Sequence, residues 1–232
     1  MIFLKLVEKS LVGVLIFQNH KLKKINNFHI PIIIASILIA FLSNFGSVII
    51  LIEPFTFTQI NITNLGYFSA HSFDQTFIEN NQWWRLVSPM FLHFSFAHLA
   101  FNCLWIYILG EKIERIDGSL TFITIVIFTA VSSNSLQYFW NGSSLFGGLS
   151  GVIYGLLGFC MIVEMDSSHD VYDIPPGLYM FMIIWMILGF IGVLELFGFG
   201  SVANFAHLGG LVSGIIFAMM LKTINLIWKI ND

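Results

Sequence analysis

The 232-residue chain is short of charge, with only 10% of its residues Asp, Glu, Lys or Arg. A soluble domain of this size carries roughly 25%, so an ordinary globular protein is excluded. Cysteine is nearly absent, the two present being Cys103 and Cys160. Both lie in apolar runs, which marks them as packing residues and leaves no disulfide framework to infer. The ten basic residues are scattered and the net charge is −3, so the electrostatic footprint of a nucleic-acid binder is missing. No internal repeat, low-complexity tract or long hydrophilic domain interrupts the chain. No His-Glu-x-x-His motif occurs, and His93 and His98 are five apart, off one helix face. A zinc site therefore has no sequence support and no metal or other cofactor is expected.

What fills the chain is hydrophobic: 57% of residues and a mean hydropathy of +0.85. Uncharged stretches of spanning length, about 17 to 25 residues, recur at roughly 30–52, 91–110, 119–138, 147–163, 175–194 and 200–221. In lipid each segment must satisfy its own backbone hydrogen bonds, which makes all six helices. The expected class is an all-α membrane protein, a bundle of six transmembrane helices with the lipid bilayer as its solvent. Short connections at 111–118, 164–174 and 195–199 make neighbouring helices antiparallel.

Orientation follows from the bases. Lys5, Lys9, Lys21, Lys23 and Lys24 precede span 1, Lys112 and Arg115 lie between spans 2 and 3, and Lys222 and Lys229 follow span 6. Six spans put all of these on one side and leave Arg85 alone on the other, so both termini are expected in the cytoplasm. The acidic loop 164–174 carries no weight against this, because acids contribute little to orientation. Residues 1–20 have neither the long apolar core nor the small-residue cleavage site of a signal peptide, and 1–27 is taken as one N-terminal segment. They read as a cytoplasmic or interfacial segment lying on the leaflet. The core is then 28–223, and 224–232 is a cytoplasmic tail. Segment 53–90 is the extracytoplasmic first loop. A loop of that length without secondary structure is unusual, so it is expected to fold back onto the membrane surface, anchored by Trp83 and Trp84.

Gly147-Gly148-Leu149-Ser150-Gly151 opens span 4. Gly147, Gly151 and Gly155 recur at i, i+4, as do Ala206, Gly210 and Gly214 on span 6 with His207 beside them. Small residues at this spacing let helix backbones approach closely in lipid, and taken alone they indicate helix packing. If the two faces meet, Ser150 and His207 come within hydrogen-bond reach. Serine is a weak nucleophile until a base takes its proton, and histidine, with an unperturbed pKa of about 6.5, suits that task. No acid lies within a span core, which removes a paired-aspartate mechanism and leaves a Ser-His dyad without a third member. Tyr154, one turn on from Ser150, is then a packing partner for the imidazole. Ser150 in the first turn of its helix gains from unpaired N–H groups and the helix dipole, which favour a developing negative charge. Its own N–H and that of Leu149 are candidate oxyanion donors. On span 2, His98 and Asn102 share a face at i, i+4. Polar groups inside membrane helices are either interhelical glue or functional, so these two are either structural or side-chain donors to an oxyanion.

These pieces together resemble the rhomboid family of intramembrane serine proteases in its bacterial form. They are Trp84-Arg85, His93-Phe-Ser-Phe-Ala-His98-Leu-Ala-Phe-Asn102, Phe146-Gly-Gly-Leu-Ser150-Gly-Val-Ile-Tyr154 and Ala203-Asn-Phe-Ala-His207-Leu-Gly-Gly210-Leu-Val-Ser-Gly214. The ordered set covers roughly 84–214. The resemblance implies a six-helix rhomboid bundle in a bacterial cytoplasmic (inner) membrane, with Ser150 as nucleophile and His207 as base. It implies an oxyanion site from His98, Asn102 and the Ser150 amide, and Tyr154 against the His207 ring. Gly148, Gly210 and His93 belong to the same motifs as supporting residues, and Trp84 and Arg85 read as structural. Substrates would be transmembrane segments of other proteins, with span 5 and the loop after it as gate and cap. Two departures stand out. No soluble N-terminal domain is expected in the apolar-basic segment 1–27, and the cap loop Leu196-Phe-Gly-Phe-Gly200 is a residue longer. The rival reading is a catalytically inactive rhomboid-like scaffold that binds transmembrane clients, for which Ser150 and His207 would be superfluous.

Overall fold

Helices account for most of the chain in the computed structural model, which describes residues 26–62, 68–142, 145–167, 170–196 and 202–231. The helices are α1 (His29–Leu42), α2 (Ile49–Ile52), α3 (Phe96–Ile116), α4 (Ser119–Asn141), α5 (Ser150–Asp166), α6 (Pro176–Phe190), α7 (Val193–Leu196) and α8 (Asn204–Asn231). The interfacial reading of residues 1–25 and the cap loop at 197–201 lie outside the described residues. By length and composition α4 and the Asn204–Ile224 part of α8 are apolar enough to cross a membrane, while α1, α5 and α6 are shorter apolar helices.

The centre of the molecule is α5. Every residue from Gly151 to Cys160 is buried, as expected of a helix apolar on all sides. It is enclosed by α3, α4 and α8, and α6 touches it more sparsely. The outer faces carry large exposed apolar side chains, among them Leu38 and Phe41 on α1, Leu120 on α4, Ile184 on α6 and Met219 on α8. Large apolar side chains exposed on so many helices fit a surface whose partner is not water.

Several expected boundaries move. Span 1 is expected over 30–52, yet α1 ends at Leu42, after about 21 Å of helix. Asn44, Phe45 and Gly46 then take φ values of 48°, 52° and 83°, a left-handed turn that no right-handed helix can traverse. Span 2 begins at Phe96 rather than 91, because Ser95 caps it by accepting the His98 N–H at 3.2 Å. It also runs on to Ile116. Span 4 starts at Ser150, so Gly147 and Gly148 belong to the preceding loop. Residues 224–231 continue α8 as helix.

The first loop has structure of its own. It holds the antiparallel hairpin β1 (Ile60–Ile62) and β2 (Phe68–Ala70), with Ile60 opposite Ala70, and several single helical turns. Its keystone is Arg85, buried and saturated with acceptors. Its guanidinium donates to Gln82 Oε1 (2.5 Å), Glu53 O (2.5 Å), Thr56 O (2.9 Å) and Glu53 Oε1 (2.6 Å). Burial pulls the Arg85 pKa down from its ordinary value, against the Glu53 carboxylate that raises it.

At the opposite end of the bundle, Glu114 of α3 accepts from the backbone N–H of His29 (3.0 Å) and from the Ser119 hydroxyl (2.7 Å). The loop after α5 is tied to the same end. Tyr172 donates to Asp117 Oδ2 (2.7 Å), and Lys112 donates to the Tyr172 carbonyl (2.7 Å).

Candidate active site

The two glycine stripes meet. A side chain at Gly210 would run into the main-chain oxygen of Gly151, and one at Gly214 into that of Gly155. The fit is narrower than a smooth face on each helix. Gly151 and Gly155 point their own Cα faces at Ser133 and Thr129 of α4, and it is their carbonyls that touch α8. Gly147, outside the helix, packs on Leu92 and the Pro89 carbonyl.

This close approach brings Ser150 Oγ to 2.8 Å from His207 Nε2. The hydroxyl is placed to donate to the imidazole, the geometry a general base requires. The Tyr154 ring stacks on His207 with centroids 4.7 Å apart and planes inclined by 29°. Among the described residues His207 Nδ1 has no hydrogen-bond partner, so no carboxylate orients the ring.

Gly148 takes φ +120° and lies against the side chains of two other sequence candidates. A Cβ there would come within 2.6 Å of His98 Cε1 and 3.4 Å of Asn102 Nδ2. His98 and Asn102 therefore converge on Gly148, two residues before Ser150. Asn102 is buried, and its Nδ2 has no partner among the described residues. As first residue of α5, Ser150 has an N–H with no partner four residues back.

The Leu149 N–H lies 3.5 Å from His93 Nε2, and the His93 ring is itself 4.9 Å from that of His98. His93 Nδ1 in turn lies 3.1 Å from the Phe91 carbonyl. Donation there leaves Nε2 as the acceptor that the Leu149 N–H needs. The Gly148 N–H is held by the Pro89 carbonyl at 3.0 Å. His93 thus sits behind the loop as its support.

The pair opens into a cavity of about 670 Å³ lined by residues including Phe101, Asn102, Gln137, Tyr154, Met182 and Trp185. Its volume lies within the range of small-molecule sites. Gln137 went unnoticed in the sequence. It is buried, and its Oε1 accepts the Ala206 N–H at 3.1 Å, fixing the start of α8 one residue before His207. The rule that singles out His98 and Asn102, a polar side chain inside a membrane helix, applies to it equally. Among the described residues no group of three or more His, Cys, Asp or Glu side chains is placed to hold a metal.

The Rhomboid domain model matches residues 80–223. Over 137 residues the chain is 39% identical to a protein named Rhomboid protease GlpG from Serratia proteamaculans (strain 568), covering 59% of this chain and 48% of that one. Proteins of the same name from Yersinia pseudotuberculosis (serotype I, strain IP32953) and Yersinia pestis (strain Pestoides F) are 38% identical over the same shares. The chain spans about half the length of the curated relatives it matches. With the family's model matched across α3 to α8 and its motifs gathered around one cavity, the chain belongs to the rhomboid family.

Proposed function

We propose that the protein is an intramembrane serine endopeptidase that cleaves transmembrane segments of other membrane proteins. The observation that carries this is the 2.8 Å pairing of Ser150 Oγ with His207 Nε2 at a large cavity among apolar helices. The named relatives, all called Rhomboid protease GlpG, support it. The working unit is the six-helix core 28–223, crossing a bacterial cytoplasmic membrane six times with both ends in the cytoplasm. Residues 1–27 and the end of α8 lie on that side.

Ser150 attacks the scissile carbonyl as His207 takes its proton. The oxyanion is met by Asn102 Nδ2, the His98 side chain and the Ser150 N–H. The imidazolium then protonates the leaving amine, and water from the cavity hydrolyses the acyl-enzyme with His207 again as base. No metal or cofactor takes part in these steps. The substrate must unwind locally, since a helix hides its carbonyls in i to i+4 bonds.

The test is purified protein with a model transmembrane substrate, comparing the parent with Ser150→Ala and His207→Ala. Cleavage by the parent and its loss in both variants is expected. A parent that binds the substrate without cutting it would favour the inactive-scaffold reading, and a Ser150→Ala variant that still cuts would sink the dyad.

A further inference from the structure

Residues 145–148 form neither helix nor strand, yet they lead into Ser150 and set Gly148 against His98. Among the described residues, the main-chain contacts of this stretch come from one side. The Gly148 N–H is accepted by the Pro89 carbonyl at 3.0 Å, the Leu149 N–H lies 3.5 Å from His93 Nε2, and Gly147 packs on Leu92 and Pro89. All these partners fall within residues 89–93. On the other side the stretch is held by a side chain, the buried ring of Phe146, which also lines the cavity.

Phe146 is seated in an aromatic cluster that belongs mostly to the first loop. Its ring lies 5.9 Å from that of Phe57, with the planes at 36°. Phe57 is the hub of the cluster: its buried ring also stacks on Tyr138 of α4 at 4.9 Å and meets Phe77 at 5.3 Å. Its backbone is flanked by the buried Thr56 and Thr58, with Thr56 Oγ1 donating to the Thr58 carbonyl at 2.8 Å. Rings at such distances attract beyond their area burial and prefer defined orientations. Ala203 packs against the same cluster, and its carbonyl accepts the His207 N–H at 3.2 Å. One apolar cluster thereby touches the chain four residues before Ser150 and four residues before His207.

Resting on the dyad and oxyanion reading above, we propose that Phe57 is a positioning residue whose ring braces Phe146 and so fixes the 147–149 peptides beside the oxyanion site. Phe57 touches no reacting atom. It acts through Phe146, which has Phe57 on one side and the cavity on the other. Two of the three residues in that stretch are glycines, so its own backbone preferences do little to hold it. A ring fixed at its head supplies what they lack. An oxyanion site depends on this, because its donors count most when they need not reorganise as charge develops. Phe77 provides the contrast within the same cluster. It is fully buried, but among the described residues its ring contacts are Phe57, Phe73 and Trp83, with none to Phe146.

Full-length protein in detergent, with a model transmembrane substrate, separates positioning from plain stability. Phe57→Leu should lower kcat about tenfold to 100-fold, up to the cost of a catalytic group misplaced by roughly 1 Å. KM should stay within about twofold, because the interaction affected belongs to the transition state. Labelling of Ser150 by a fluorophosphonate, which needs no transmembrane segment, should slow by a similar factor. Phe77→Leu should lower the thermal midpoint at least as far and leave kcat within about twofold of the parent. Phe57→Leu combined with Phe146→Leu should lose less kcat than the product of the two single losses, since contacting residues are not independent. Should Phe57→Leu fail to fold, Phe57→Met, which fills the space without a planar ring, decides in its place. An unchanged kcat, equal kcat losses in the Phe57 and Phe77 variants, a change confined to KM, or multiplicative losses in the double variant each overturns the brace. Cleavage that survives Ser150→Ala overturns the dyad instead, and the same cycle measured on thermal midpoints still reads the Phe57–Phe146 contact by itself.

Discussion

Gly210 faces the main-chain oxygen of Gly151 with no room for a side chain between them. That contact sets the distance between α5 and α8, and hence the distance between Ser150, one residue before Gly151, and His207, three residues before Gly210. Helix packing and the spacing of the Ser150–His207 pair share one dimension here. Gly210→Ala must push the helices apart or bend one of them, and overpacking of this kind costs about 1–3 kcal/mol. We expect a lower thermal midpoint in detergent and a fall in kcat larger than that stability loss alone would give in a protein still folded at assay temperature. Thermal unfolding monitored beside cleavage checks both. Full activity in Gly210→Ala would mean that the α5–α8 spacing does not govern the dyad.

Gly148 is constrained twice, by φ +120° and by the His98 ring against it. An alanine there is strained by about 1–3 kcal/mol and also displaces the His98 side chain. The expected outcome for Gly148→Ala is a kcat lowered about 100-fold, in the range for loss of one oxyanion donor, with the protein still folded. Labelling of Ser150 by a fluorophosphonate, which needs both nucleophile and oxyanion site, should slow in parallel. Normal labelling beside impaired cleavage would place the defect in substrate binding.

The long-range geometry was legible because it is written in small and polar residues that a lipid-facing helix has no other reason to hold. Gly210, Gly214, His207, His98 and Asn102 each stand out against an apolar background, and each is found where its spacing places it. Helix ends were less legible. Hydropathy stays high through Ser43-Asn44-Phe45-Gly46, so the left-handed turn that stops α1 leaves no trace in a window average, only in its residue types. Ser95 as a cap and Ser150 as a helix start are likewise local hydrogen-bond decisions inside apolar runs. The direction of the Leu149 N–H was not legible at all, because it depends on where His93, from a distant loop, puts its Nε2.

Arg85 supports the first loop as a single cation among carbonyls. Its planar fork reaches Glu53, Thr56 and Gln82 at once, an arrangement that a lysine ammonium cannot reproduce. Removing it strands the buried Thr56 acceptors and leaves the partly exposed Glu53 carboxylate unpaired, a loss of about 1–3 kcal/mol for acceptors left without a donor. Arg85→Ala should therefore lower the thermal midpoint strongly and Arg85→Lys only partly restore it. In whatever fraction remains folded, KM and kcat should stay near parent values, since the guanidinium does not line the cavity. A folded, stable Arg85→Ala with lowered kcat would instead give Arg85 a direct part in the reaction.

Asn102 separates the two readings of the polar residues on α3. As interhelical glue it would hold a partner in the resting protein, and its Nδ2 has none among the described residues. An oxyanion donor behaves differently, since its acceptor appears only as the tetrahedral intermediate forms. Asn102→Ala should then lower kcat about 100- to 1,000-fold and leave KM close to the parent value, because the lost interaction belongs to the transition state alone. The thermal midpoint should fall little or even rise, since a buried donor without a partner is removed. Asn102→Asp keeps the shape, replaces the donor by a carboxylate and sets a negative charge beside the oxyanion, so it should be at least as damaging to kcat. The decisive comparison is kcat against thermal midpoint for the two variants. Loss of stability with catalysis preserved would return Asn102 to the role of glue.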